Sequence, residues 1–213
     1  MSVNINNVVN EELGLKFNDI EMILRDYAIL NNVPIIGDEG LAFLEKIIAL
    51  YKPQRILEIG TAIGYSAERM ARVSGSEVIT IERDEVMYKR ALETISDLNL
   101  NDKVKIIFKD ALDAFDLVKN YEFDMIFIYA AKGQYKKFFE LYTPLLKKGG
   151  IVVCDNMMFH GQLENKENKS RALRALLRKI KEYHEYILTN TNYDTSIFQI
   201  GDGMSISIKK LNC

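Results

Sequence analysis

The stretch DMIFIYAAKGQY, residues 124–135, holds residue types that could do chemistry at the end of a strand. Its apolar run ends in the phenol of Tyr129, and Lys132 follows three residues later. Apolar runs bounded by small residues predict buried strands, and open α/β sheets bind ligands at the carboxyl ends of their strands. Lysines are mostly solvated, so this stretch by itself favours a surface lysine at a helix start. A catalytic lysine is the alternative, and the rest of the chain decides between them.

The sequence LEIGTAIGYS, residues 57–66, is the strongest short motif in the chain. It follows a predicted strand and opens a predicted helix, which is the setting of a nucleotide-binding glycine loop. Gly60 and Gly64 allow the backbone to turn tightly against a ligand, although an ordinary strand-to-helix turn would explain the glycine pair alone. Glu82 ends the next predicted strand about twenty residues on, where a carboxylate can accept both ribose hydroxyls. This carboxylate favours a nucleoside site.

A second carboxylate, Glu58, separates two nucleoside ligands. A dinucleotide places its pyrophosphate at the helix N-terminus, where this negative charge would repel it, and the chain has Ala62 where a dinucleotide loop normally has glycine. S-adenosylmethionine carries a positive amino-acid end and no phosphate, so Glu58 suits it. The motif FKDALD then places Asp110 and Ala111 at the end of the third predicted strand, where an adenine edge would lie. The pattern therefore favours S-adenosylmethionine over NAD.

The elements that must position these residues alternate between strand and helix after Pro53. Apolar runs predict the strands QRILEIG, EVITIE, VKIIFKD, FDMIFIY and GIVVCDN, and the segments between them predict helices. This alternation predicts βαβ units in a parallel sheet that is covered on both faces. Gly-Asp-Gly at 201–203 lies between two strand-like runs and predicts a final antiparallel hairpin. We therefore predict an α/β fold with a seven-stranded, mostly parallel sheet.

Helix-breaking and helix-capping residues in the same sequence predict where the helices begin and end. Residues 17–51 predict two N-terminal helices that are separated at NNVPIIGDEG, with Asp38 as the cap of the second helix. Residues 111–120 predict a short helix between two strands. The last long helix is expected to end at about Tyr183.

Length and composition limit the class of protein. The chain has 213 residues, 48% of them hydrophobic, and a net charge of −2. Since no repeat or low-complexity linker is evident, we expect one domain, residues 1–213, with helices in 1–52 and the α/β core in 53–213. We find no signal peptide or membrane-spanning stretch, and two cysteines predict no disulfide framework, so we expect a cytoplasmic protein. Cys154 closes an apolar run and no residue orients the nearby His160, so we interpret this cysteine as a buried hydrophobe.

The segment ENKENKSRALRALLRKIKEY, residues 164–183, contains the end of a polar loop and a predicted helix with one basic face. Helical spacing places four positive side chains on that face: Arg171, Arg174, Arg178 and Lys181. Three more lysines are near: Lys166, Lys169 and Lys179. A solvated helix face is the common explanation of such a stripe. On a slightly acidic protein it is also a local footprint suited to RNA phosphates, although no aromatic motif of the common RNA-binding modules is evident.

Five motifs occur together, in the order RILEIGTAIGYSAERMA, VITIERDE, FKDALD, FIYAAKGQY and GGIVVCDN. In this combination the chain resembles the class I O-methyltransferases related to catechol and caffeoyl-CoA O-methyltransferases, over about residues 30–210. The resemblance implies a Rossmann-like methyltransferase fold, a homodimer and O-methyl transfer that depends on S-adenosylmethionine. DNMMFHGQ and GDGMSISIKK are similar to the bacterial branch that methylates 5-hydroxyuridine at the tRNA wobble position. We therefore expect tRNA as the substrate, with a small catechol-like phenol as the alternative.

The resemblance also implies roles for individual residues. It assigns S-adenosylmethionine binding to the residue at position 129 and to Ile36, Glu58, Gly60, Ser66, Glu82, Asp110 and Ala111. Lys132 corresponds to the family lysine beside the acceptor hydroxyl, which reverses the surface-lysine interpretation. Asp155 and Asn156 correspond to two of the three protein ligands of a divalent cation such as Mg²⁺. The third ligand in the family is an aspartate, and this chain has Tyr129 there.

Tyr129 leaves three interpretations of the cation site open. A hard cation would align two substrate oxygens and lower a hydroxyl pKa, and the tyrosine replaces a charged ligand with a bulky phenol. Either the cation site is weakened or lost, or Lys132 orients or deprotonates an acidic acceptor without a metal, or the protein binds S-adenosylmethionine without catalysis. We favour a weakened or lost Mg²⁺ site on an intact methyltransferase scaffold. An NAD-dependent oxidoreductase is a further, less favoured class.

Overall fold

The computed structural model describes residues 17–157 and 170–212. These residues contain seven strands and seven α-helices. The strands are β1 Arg55–Ile59, β2 Glu77–Glu82, β3 Val104–Phe108, β4 Phe123–Ile128, β5 Leu146–Cys154, β6 Tyr193–Phe198 and β7 Met204–Lys209. The helices are α1 Phe17–Leu30, α2 Asp38–Tyr51, α3 Tyr65–Ser74, α4 Glu85–Asp97, α5 Phe115–Val118, α6 Tyr135–Tyr142 and α7 Arg171–Thr189.

The strands form one sheet in the order β3-β2-β1-β4-β5-β7-β6. Neighbours from β3 to β5 pair in parallel, whereas β7 pairs antiparallel with both β5 and β6. The predicted seven-stranded, mostly parallel sheet and its C-terminal antiparallel hairpin are confirmed. The chain order reverses between β1 and β4, so the carboxyl ends of these two strands open the crevice in which α/β sheets bind ligands.

Both faces of the sheet are buried, and this explains the continuous apolar runs of its central strands. Successive residues of a strand point to opposite faces, so Ile56 packs with the cluster that contains Leu44 of α2, and Leu57 packs with the cluster that contains Phe139 of α6. Tyr183 of α7 also belongs to the second cluster. Helices on both faces therefore fix the carboxyl edge of the sheet.

The second helix begins differently from the prediction. Gly37 is its N-cap residue, and Asp38 is the first helical residue and does not cap the helix. The Asp38 carboxylate instead forms an ion pair with Arg25 of α1. A partner from another helix therefore replaced the local capping bond that the sequence pattern predicted.

Two other helix predictions were wrong in length. The helix α7 extends to Thr189, beyond the expected end at Tyr183, because Ile187 continues its buried stripe. In 111–120 only α5 is an α-helix. The Asp110 carboxylate accepts a hydrogen bond from the backbone N–H of Leu112 at 2.9 Å, which is a local turn that competes with helix formation. No helix in the described ranges is long and apolar enough to cross a bilayer.

Candidate active site

A cavity of about 920 Å³ lies at the carboxyl ends of the parallel strands. It brings together most of the site residues that the sequence predicted: Gly60, Glu82, Asp110, Ala111, Tyr129, Lys132, Asp155 and Asn156. The first four come from β1 to β3 and the segments that follow these strands, and the last four from β4, β5 and the segments that follow those. We call the end where the sequence predicts a nucleoside the nucleoside end; it is formed by Gly60, Glu82, Asp110 and Ala111. We call the end where the sequence predicts the methyl acceptor the acceptor end; it is formed by Tyr129, Lys132, Asp155 and Asn156.

Gly60 is required where the first strand meets the fourth. Its φ is +100°, and a Cβ added there would lie 2.2 Å from the backbone oxygen of Tyr129. Its N–H donates a 3.0 Å hydrogen bond to the carbonyl of Ile81 in β2. Only a residue without a side chain fits this close backbone approach, so the glycine loop shapes the floor of the cavity.

Backbone amides hold the Glu82 carboxylate at the nucleoside end. One oxygen accepts from the N–H of Ala62 at 2.8 Å, and the other accepts from the N–H groups of Arg83 and Asp84, each at 2.8 Å. An ionised carboxylate has about four acceptor positions, so capacity remains for a ribose hydroxyl. The ribose-binding role of Glu82 stays a prediction.

Asp110 and Ala111 form the wall next to Glu82. The backbone N–H of Leu112 and the guanidinium of Arg83 hydrogen-bond to the Asp110 carboxylate and hold its pKa below the ordinary value. The carboxylate is therefore ionised and fixed at neutral pH. Ala111 is buried and lines the same cavity, and its role at an adenine edge stays a prediction.

Three predicted cofactor residues lie behind the wall and do not line the cavity: Ile36, Glu58 and Ser66. Pro34, Ile35 and Gly37, which flank Ile36, line it instead. The Glu58 carboxylate is fully buried, accepts a hydrogen bond from Ser66 Oγ and another from Thr80 Oγ1 at 2.6 Å, and its burial raises its pKa to about 7. It therefore supports the loop from beneath, a role that the sequence did not predict.

At the acceptor end, Asp155 and Asn156 follow β5 directly. Burial raises the pKa of Asp155 to about 6, and its Oδ1 accepts a 2.7 Å hydrogen bond from the backbone N–H of Asn156. Asn156 has a φ of +60°, in the left-handed region, where asparagine is tolerated better than most residues. Its Oδ1 accepts a 2.9 Å hydrogen bond from Lys132 Nζ.

Lys132 begins a 3₁₀ turn, Lys132–Gln134, just after β4. Its side chain is only 21% exposed, and burial lowers its pKa from the ordinary value. Nζ lies 3.9 Å from the carboxylate of Asp202. These features contradict the surface-lysine alternative, because a solvated lysine would have neither the burial nor the fixed partners.

Tyr129 is a neutral group at this end of the cavity. Burial raises its pKa to about 12, although a hydrogen bond with Asn156 acts in the opposite direction. Its ring stacks on Phe127 with centroids 6.1 Å apart. The phenol is therefore protonated at neutral pH and contributes no negative charge to the site.

The donor set does not fit a tight divalent-cation site. Mg²⁺ and Ca²⁺ prefer charged or carbonyl oxygens, but Tyr129 is neutral and the Asn156 oxygen already accepts from the ammonium of Lys132. Within 17–157 and 170–212, no three His, Cys, Asp or Glu side chains lie close enough to hold a metal ion. Of the three positions to which the resemblance assigns a cation, only that of Asp155 holds a charged ligand, and the ammonium of Lys132 is bound to the neighbouring Asn156.

The sequence analysis missed Asp202 as a site residue. Gly-Asp-Gly was interpreted as a hairpin turn and as part of the resemblance, with no site role, yet Asp202 in that turn lines the acceptor end of the cavity. An acidic residue between two glycines was the available signal. Nothing local indicated that this turn reaches back to the ends of β4 and β5.

The predicted basic face of α7 is present. All four of its residues are exposed: Arg171, Arg174, Arg178 and Lys181. A Cβ added at Gly133, next to Lys132, would lie 3.4 Å from Lys179 Cδ and 3.6 Å from Leu176 Cδ1, so α7 packs on the turn that carries the lysine. Lys166 and Lys169 lie outside the described residues.

Cys154 is the buried hydrophobe that the sequence predicted. Burial raises its pKa to about 12, and its sulfur lies 2.9 Å from the hydroxyl of Tyr183. A thiol with this pKa is protonated at neutral pH and is not a nucleophile.

Comparison with known proteins identifies the family. A family model described as O-methyltransferase matches residues 19–210. The chain belongs to this O-methyltransferase family. A candidate caffeoyl-CoA O-methyltransferase from Staphylococcus aureus has a structure that is 37% identical, with a TM-score of 0.86 over 98% of this chain and 100% of that one.

Two further relatives carry information on activity. A catechol O-methyltransferase of Niastella koreensis is 32% identical over 79% of each chain. A Bacillus cereus O-methyltransferase, solved in complex with SAH, is 26% identical, with a TM-score of 0.79 over 97% of each chain. The chain is therefore an O-methyltransferase by family, and the predicted Rossmann-like methyltransferase fold is confirmed.

Proposed function

We propose that this protein transfers a methyl group from S-adenosylmethionine to an acidic aromatic hydroxyl. The observation that carries the proposal is the single cavity that joins the Glu82 and Asp110 carboxylates at one end to Lys132 at the other. The complex of the Bacillus cereus relative with SAH supports the cofactor. The nucleoside end suits a ribose and an adenine, and the loop has Ala62 where a dinucleotide loop normally has glycine.

The chemistry assigned to this cavity is an in-line displacement. The acceptor oxygen attacks the methyl carbon while the carbon–sulfur bond breaks, and the sulfonium becomes a neutral thioether. The hydroxyl proton must leave, and we assign its removal to Lys132, whose lowered pKa makes the neutral amine more accessible. Fixing oxygen, methyl and sulfur in line supplies much of the remaining rate acceleration.

The protein is proposed to work with weak or no binding of a divalent cation. Support comes from Tyr129, a neutral phenol at a position where the resemblance places an aspartate ligand. Calorimetry should detect no tight Mg²⁺ binding to the unmodified protein, whereas Tyr129→Asp should gain roughly tenfold or more in Mg²⁺ affinity through the added charge. Tyr129→Phe is the control, because it removes the hydroxyl without adding charge. Stoichiometric, micromolar Mg²⁺ binding to the unmodified protein would refute the proposal.

A small phenol is the acceptor class that the comparisons support. The Niastella relative is described as a catechol O-methyltransferase, and a Populus kitakamiensis relative, 28% identical over 87% of this chain, is a caffeoyl-CoA O-methyltransferase. The test is incubation with labelled S-adenosylmethionine and a catechol, with and without Mg²⁺. Methylated catechol would support this acceptor and contradict both the non-catalytic binding protein and an NAD-dependent enzyme. Binding of S-adenosylmethionine with no product from catechol or from the tRNA considered next would refute the proposed function.

The 5-hydroxyuridine of tRNA is a second candidate acceptor. The observation that favours it is the exposed basic face of α7. The same helix packs through Leu176 and Lys179 on the turn that carries Lys132. Charge reversal of Arg171 and Arg174 together should weaken binding of tRNA by roughly tenfold at low salt, since each lost phosphate contact removes part of the electrostatic term. Methylation of a catechol should not change. Charge reversal of Lys103 and Lys119, which are exposed elsewhere, changes net charge equally and is the control.

Equal binding of tRNA by the α7 variant and the control would exclude this face as the contact surface. The homodimer that the resemblance implies also stays a prediction, and sedimentation analysis of the purified protein would test it.

A further inference from the structure

Asp202 lies at the acceptor end of the cavity. The other residues named at this end follow β4 or β5, whereas Asp202 precedes β7. It lies in the turn between β6 and β7, lines the cavity, and its side chain is only 16% exposed. Its carboxylate is 3.9 Å from Lys132 Nζ.

Backbone hydrogen bonds on both sides fix the turn that carries Asp202. On one side, Gly201 N–H donates to the Glu39 carboxylate of α2 at 3.1 Å. On the other, the carbonyl of Gly203 accepts from the N–H of Met157 at 2.9 Å, immediately after the Asp155–Asn156 pair. The turn is therefore held between the start of α2 and the end of β5, so the Asp202 carboxylate has a defined position beside Lys132.

Lys132 has two polar partners from different strands of the sheet edge. Asn156, after β5, accepts its hydrogen bond at 2.9 Å, and Asp202, before β7, provides the opposite charge at 3.9 Å. A lysine side chain has many rotamers, and two partners restrict them more than one partner does.

We infer that Asp202 is a positioning residue that holds Lys132 Nζ at the acceptor hydroxyl. The inference rests on the proposed function and deepens it, because it names a residue through which the reaction would be tuned. Asp202 acts through Lys132 and has no independent role in the methyl transfer. The prediction that distinguishes this from a structural role is therefore a loss of rate that depends on Lys132.

A double-mutant cycle tests the coupling between the two residues. Asp202→Asn, Lys132→Ala and the double variant are compared under single-turnover conditions, with enzyme in excess and labelled S-adenosylmethionine. The acceptor is whichever of catechol or hydroxylated tRNA the unmodified protein methylates. We expect Asp202→Asn to lower the rate roughly tenfold, with S-adenosylmethionine affinity and acceptor KM within about twofold of the unmodified protein, and to have no further effect in the Lys132→Ala background.

Asp194→Asn is the matched control, because Asp194 is exposed on β6 of the same hairpin and does not line the cavity. The inference is overturned if Asp202→Asn keeps the full rate, if it loses the same factor in the Lys132→Ala background, or if it mainly weakens S-adenosylmethionine binding. Thermal unfolding is measured for every variant, and Asp202→Ser replaces Asp202→Asn in the cycle if the latter is unfolded at the assay temperature. Absence of methyl transfer by the unmodified protein would instead refute the proposed function.

Discussion

The nucleoside end and the acceptor end of the cavity are built in different ways. At the nucleoside end, backbone groups from β1, β2 and the segments that follow them hold Glu82, and the Gly60 backbone forms the floor. At the acceptor end, side chains hold one another, and Lys132, Asn156 and Asp202 come from three separate parts of the chain. The first end depends on backbone geometry at the ends of neighbouring strands, and the second depends on side chains from distant segments.

This difference explains how Tyr129 can stand where the resemblance implies an aspartate without a change of fold. A nucleoside end made of backbone amides and a close glycine contact allows few substitutions, since a side chain at Gly60 would overlap the backbone of β4. An acceptor end made of side chains allows a change of charge without a change of fold. Tyr129 is such a change, because its backbone still pairs with β1 through a 3.0 Å hydrogen bond to Ile59.

The largest effect is expected from Gly60→Ala, which disrupts the nucleoside end and lowers S-adenosylmethionine affinity. The left-handed φ costs about 1–2 kcal/mol for a non-glycine residue, and the overlap with Tyr129 adds to it. We expect S-adenosylmethionine affinity to fall at least about 100-fold in calorimetry. Gly75→Ala is the control, because Gly75 also has a positive φ, of +68°, but nothing lies within 4 Å of its added Cβ. Equal affinities for the two variants would show that the close contact is unimportant.

Lys132→Ala changes the acceptor end and leaves the nucleoside end intact. Removal of a group that handles the hydroxyl proton should lower kcat by about 100-fold or more, while S-adenosylmethionine affinity should stay within about twofold. Lys136→Ala, one turn further along on the exposed face of α6, is the control. The measurement is initial methyl transfer rate at saturating cofactor. If both lysine variants keep full activity, Lys132 does not take part in proton removal at the acceptor end.

The smallest effect concerns Glu58, which is buried beneath the nucleoside end, and the pH dependence of the free energy of unfolding. Glu58 has a pKa of about 7 when folded against an ordinary value of 4.5, so the folded protein keeps a proton that the unfolded chain releases between these pH values. The free energy of unfolding should therefore decrease as pH rises from about 4.5 to 7, by on the order of 1–3 kcal/mol from this group. Glu58→Gln should remove that part of the decrease in denaturant unfolding curves.

Glu85→Gln, an exposed change on α4, should keep the full pH dependence. Glu68, whose pKa burial raises to about 6, accounts for part of the decrease that remains in Glu58→Gln. An unchanged pH dependence in Glu58→Gln would mean that this carboxylate does not stabilise the loop as a protonated group.

The sequence predicted the elements with strong local patterns and missed those that depended on partners. The strand runs and the helix Tyr65–Ser74 agree with their predictions, since apolar periodicity and glycine punctuation are local. Asp38 was wrong as a helix cap because Arg25 of another helix binds its carboxylate. Glu58 was expected to face the ligand, but Ser66 and Thr80 hold it beneath the loop.

The sequence by itself determined the α/β sheet, the glycine loop and the carboxyl-edge positions of Glu82, Lys132 and Asp155, because each is coded by residues that are neighbours in the chain. Only the tertiary structure decided what completes the acceptor end. Gly201 and Glu39 are 162 positions apart, yet their hydrogen bond places the β6–β7 turn against α2. Asp202 reaches Lys132 through that contact. Such proximity results from packing of helices and strands on one sheet, and no local pattern of residues encodes it.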